Sequence, residues 1–124
     1  MNLRLLPEVY AICRLQADAM LPGWATGAFV SITRTPHELS VVCPEQCVPK
    51  DVRHEGSWRI LEVEGPMDLS LVGVLASLTQ TLAKANINLF ALSTFDTDYL
   101  MVKVDRLEDT KDALLAAGHS ILVM

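Results

Sequence analysis

The chain has 124 residues, 51% hydrophobic and 20% charged, with a formal net charge of −5 and no run of lysine or arginine. Such a composition builds one ordinary domain or two small lobes sharing a core, and it excludes a disordered chain. It also argues against nucleic acid as a partner, because phosphate binding needs a basic surface.

Leu3 to Leu15 predicts one strand or two, broken at Pro7. Pro7, Glu8 and Arg14 interrupt that stretch, so it does not read as a secretory signal. No apolar run nears the roughly 20 residues that span a bilayer. The expectation is a cytoplasmic protein without membrane contact. Gln16 to Thr26 holds Pro22, Gly23 and Trp24, leaving room for a short helix at most. Gly27–Thr33 and Glu38–Cys43 predict a strand pair around Arg34-Thr35-Pro36-His37, with a turn or single helical turn near Pro44–Val48. This half reads as a degenerate β-α-β-β unit with eroded helices, too small to be stable alone.

Cys43-x3-Cys47 lies near His37 and His54, a spacing too loose for a zinc site. With Cys13 the thiols number three, an odd count that speaks against a disulfide framework. They read as buried free thiols, and no metal or cofactor is expected.

The second half is more regular. Ser57 to Glu64 alternates like a strand, with Trp58 in the core, and Gly65-Pro66 stops it. Asp68 or Ser70 is placed to cap a helix whose apolar residues Leu71, Val74, Leu75, Leu78 and Leu82 share one face. The helix should end at Ala85-Asn86, since asparagine tolerates the left-handed closing conformation. Ile87–Thr94 and Tyr99–Val104 predict a hairpin closed by the polar knot Ser93-Thr94-Phe95-Asp96-Thr97-Asp98. Asp105-Arg106-Leu107-Glu108 reads as a capping box, Gly118 as the residue closing a second helix, and His119–Met124 as a last strand. The order is β-α-β-β-α-β, a ferredoxin-like α+β lobe with two helices on one face of a four-stranded antiparallel sheet. The division is expected as residues 1–55 and 56–124.

Val72-Gly73-Val74-Leu75-Ala76, then Leu82-Ala83-x-Ala85-Asn86-Ile87-Asn88, then Leu92-Ser93-Thr94, resembles an ACT domain over Glu62 to about Leu122. The regulatory domains of aspartate kinases are similar at these points. Glu38-Leu39-Ser40-Val41-Val42-Cys43 together with the knot resembles a narrower group. That group is the small bacterial tandem-ACT proteins and the ACT repeats of CASTOR-type arginine sensors. The chain departs in having Asn86 where many ACT domains have glycine, and its first 27 residues match only vaguely.

The resemblance implies two packed ACT-like lobes, the first degenerate. It implies a non-catalytic sensor or regulator that binds a free amino acid, a basic one among the candidates, and forms a homodimer. The crevice would lie between lobes or between subunits. A regulated protein partner is implied but unspecified. The Gly65–Gly73 loop, with Asp68, Leu69, Ser70 and Gly73, would present a helix N-terminus to the ligand carboxylate. Backbone carbonyls at Asn86, Ile87 and Asn88 and the carboxylate of Asp98 would meet the ammonium or a cationic side chain. Thr94 and Phe95, beside Ser93, would wrap the ligand stem, and Ser40-Val41 would line the same pocket. For Asp96 and Thr97 the expectation is a side-chain-capped turn. Catalysis finds no support: the chain has no G-x-S-x-G elbow and no phosphate-binding P-loop, and Asp96 and Asp98 make no arguable acid–base pair. The alternative to a sensor is an interaction adaptor of the same fold without a metabolite.

Overall fold

The computed structural model describes residues 1–64 and 73–123. The elements are β1 (Asn2–Leu5), β2 (Tyr10–Leu15), β3 (Ser31–Arg34), β4 (Leu39–Pro44), β5 (His54–Val63), α1 (Val74–Lys84), β6 (Phe90–Ser93), β7 (Asp98–Lys103), α2 (Leu107–Ala116) and β8 (Ser120–Val123). Single 3-10 turns occupy Glu45–Cys47 and Val104–Arg106. The chain divides into two compact units, Glu8–Trp58 and Met1–Pro7 with Arg59–Met124.

In the larger unit the order β5-α1-β6-β7-α2-β8 is the ferredoxin-like α+β arrangement. Its sheet runs β6-β7-β5-β1-β8, which corrects the expected four-stranded antiparallel sheet. The extra strand is β1. It pairs antiparallel with β5 (Leu3 opposite Val63) and parallel with β8 (Leu3 opposite Ile121). Leu3 and Leu5 alternate inward and are almost fully buried, so the inserted strand adds two side chains to the core. Leu61 and Val63 of β5, Leu100 and Val102 of β7, Leu78 and Leu82 of α1, and Leu107 and Leu114 of α2 complete that core. Both helices therefore lie on one face of the sheet.

The helix ends follow the sequence and the helix starts do not. After α1, Asn86 takes a left-handed φ of 60°. The Asn86 N–H donates to the Ala83 carbonyl at 3.0 Å, and the Ile87 N–H to the Leu82 carbonyl at 3.0 Å. Gly118 (φ 94°) closes α2 in the same way, with His119 N–H donating to Leu114 O and Gly118 N–H to Leu115 O. Both are Schellman closures, and Ile87 packs into the same core as Leu82. At the starts, the N-cap of α1 is Gly73 without a side-chain cap; the expected caps Asp68 and Ser70 lie outside the described residues. The expected Asp105–Glu108 capping box does not form, because Asp105 is already coiled into the 3-10 turn and Arg106 becomes the N-cap of α2.

The smaller unit is a sheet ordered β3-β4-β2-β5, using the first half of β5. Ala11, Cys13, Leu39, Val41 and Cys43 form its core. No helix longer than the 3-10 turn forms in it, and the residues from Gln16 to Thr26 are irregular, with turns at 17–18 and 23–24. The Arg34 guanidinium binds the carbonyls of Ala17 and Ala19 and holds that loop. A bulge interrupts β5 where the register against β2 shifts between Tyr10 and Ile12. There Ser57 adopts a φ of 65°, and its N–H donates to Glu45 Oε1 at 2.9 Å. Beside it, a Cβ on Gly56 would sit 1.8 Å from that carboxylate oxygen, so a larger residue there would push the Glu45 carboxylate aside.

Candidate functional site

Chain direction sets which residues meet. The chain leaves β5 at Val63, returns along α1, and runs out again along β6. The start of α1 and the β6–β7 turn therefore share the end of the unit at which β5 stops. One contact shows this directly: Thr97 Oγ1 donates to the Val63 carbonyl at 2.6 Å.

The knot is built by hydroxyls. Ser93 lies opposite Asp98, and Thr94 N–H donates to Thr97 O at 2.8 Å, leaving Phe95 and Asp96 as the two central residues. Neither has a positive φ, so the turn is not one of the left-handed types that match strand twist. Side chains compensate. Thr94 Oγ1 donates to Thr97 O at 3.1 Å and accepts the Thr97 N–H at 3.4 Å. The turn is thus capped by Thr94, whereas the expected cap was Asp96 with Thr97. Thr97, 6% exposed, is turned inward to β5 instead. Phe95 is 83% exposed at the tip.

Asp98 is half-buried and accepts Ser93 Oγ–H on Oδ1 at 2.6 Å, a charge-assisted bond that fixes the carboxylate. At the same end, Gly73 is left-handed (φ 81°), and among the described residues nothing lies within 4 Å of where a Cβ would stand. Its carbonyl accepts the first helical bond, from Ser77 N–H at 2.8 Å. An uncapped helix start has spare N–H groups and the positive end of the helix dipole. On the sheet's other face, Tyr99 donates its hydroxyl to Glu62 Oε2 at 3.0 Å. Burial, then that hydrogen bond and the Glu62 charge, push the Tyr99 phenol up to about 12.

Not all the expected site residues converge. Asn86 and Asn88 are exposed, Ile87 is buried in the core, and all three lie beyond the other end of α1. The Asn86 carbonyl there accepts from Arg106 Nη1 at 3.1 Å. Asn86 lies thirteen positions beyond Gly73, roughly 20 Å at helical rise. No single amino acid touches both in one copy. Ser40 and Val41 belong to the smaller unit, Ser40 half-buried on β4 and Val41 fully buried in the core. Asp68, Leu69 and Ser70 lie outside the described residues.

The three thiols are free, Cys13 and Cys43 buried and Cys47 half-buried. Burial, then the neighbouring Cys13 and Cys47 thiols, push Cys43 up to about 12, so it stays a protonated, poorly nucleophilic thiol. Among the described residues no group of three or more His, Cys, Asp or Glu is placed to hold a metal ion. No described helix is long and apolar enough to cross a membrane. One concavity was not legible in the sequence. A cleft of about 420 Å³ in the smaller unit is lined by Arg14, Leu15, Gln16, Ala19 and residues Asp51 to Arg53. Its arginines are neighbours only because β2 pairs with the start of β5.

A family profile for the ACT domain matches residues 53–116, and a second profile, for the N-terminal domain of another protein family, matches residues 8–51. No curated protein matches significantly. Among solved structures, a crystal structure of an Agobacterium tumefaciens protein is 42% identical and has a TM-score of 0.94. The match covers 99% of this chain and 92% of that one. A Vibrio cholerae protein of unknown function, described as a possible transport protein, is 16% identical over 93% of this chain and 88% of its own, with a TM-score of 0.76. The ligand-free regulatory subunit of aspartate kinase from Thermus thermophilus is 12% identical over 94% and 96%, with a TM-score of 0.61. The last two likenesses are of fold.

Proposed function

We propose that this chain, which belongs to the ACT-domain family, is a non-catalytic sensor that binds a free amino acid at the knot end of its larger unit. The observation that carries the reading is a helix start at Gly73 that, among the described residues, has no side-chain cap, at the same end as the fixed carboxylate of Asp98. The helix start suits the ligand's carboxylate. Asp98, with Oδ1 held by Ser93, suits its ammonium or a cationic side chain. Backbone from Ser93 to Phe95 is the natural wall between them. Regulation then follows from the ligand's differential affinity for two arrangements of the protein.

The reading includes a homodimer. In the larger unit β6 and β8 are edge strands, and Leu122 and Val123 on β8 are 60% and 61% exposed. Edges of this kind are removed by pairing. A second copy would also bring its Asn86–Asn88 to a ligand that one copy alone cannot span.

The test is thermal unfolding against the twenty amino acids, with Asp98→Ala alongside. A ligand at about 100 times its Kd adds roughly 2.7 kcal/mol to the folded state. One amino acid should raise the melting temperature by several degrees, and the folded Asp98→Ala protein should not respond. If none of the twenty shifts the transition, the adaptor reading takes over, with exposed Phe95 as its first contact.

A further inference from the structure

We draw no further inference here: the strongest candidate, the apolar surface patch of Met20 and Leu21, exposed on the loop that Arg34 of β3 holds by the carbonyls of Ala17 and Ala19, carries none because nothing among the described residues shows what covers it.

Discussion

Replacing Thr97 by valine tests whether the knot is held from below. In β1–β5 pairing, Leu6 N–H donates to Ile60 O and Glu64 N–H to Asn2 O, so the even-numbered β5 residues bond to β1. The Val63 carbonyl therefore points the other way, toward β7, where the Thr97 hydroxyl meets it at 2.6 Å. Valine keeps the shape and β propensity but puts a methyl group against that oxygen. Losing the donor from a buried carbonyl costs about 1–3 kcal/mol. Serine keeps the hydroxyl and loses one buried methyl group, about 0.8 kcal/mol. With about 2 kcal/mol for valine, a chain of this size should melt roughly 6–10 °C lower. Urea and thermal unfolding by circular dichroism give the two costs, and amide exchange at residues 93–98 should quicken in Thr97→Val alone. If valine is as stable as threonine, or if serine costs more than valine, the hydroxyl does not anchor the turn and the reasoning fails.

Three further outcomes are expected. Gly56→Ala should destabilise by about 0.5–1.5 kcal/mol, because its Cβ would displace the Glu45 carboxylate from the exposed Ser57 N–H; in a Glu45→Ala background the added cost should shrink, as a double-mutant cycle would show. Asn86→Ala should cost about 1 kcal/mol and Asn86→Gly almost nothing in chemical denaturation, since only the left-handed φ of 60° is at stake. Tyr99 has a folded pKa of about 12 against an ordinary value near 10. The unfolded chain releases that proton first, so the contribution is intact below pH 10 and is lost as pH rises through about 12. Absorbance titration of the two tyrosines should show a tyrosinate step near pH 12 that vanishes in Tyr99→Phe; its persistence would remove Tyr99 as the source.

The sequence by itself determined the ferredoxin-like order, the apolar faces of the helices and their closures at Asn86 and Gly118. All of these follow from interactions within a few residues: alternation, helical spacing, and the tolerance of asparagine and glycine for a left-handed backbone. The helix starts were misjudged at Asp105, because the chain spends that residue in a tighter turn whose formation depends on packing as well as on local preference. Part of the candidate site was legible too: the knot and Gly73 stood out by composition, and chain direction brings them to one end. Tertiary structure decided the rest. It separated Asn86–Asn88 from Gly73 along α1, spent Val41 on a core, and turned Thr97 toward Val63. It also inserted β1 between β5 and β8, where Asn2 meets Ser120 across 118 residues of sequence. Parallel pairing at that distance leaves no local trace, since alternation says which face of a strand is buried and nothing about its neighbours. Arg14 and Arg53 became a pair for the same reason, once the register of two distant strands placed them side by side.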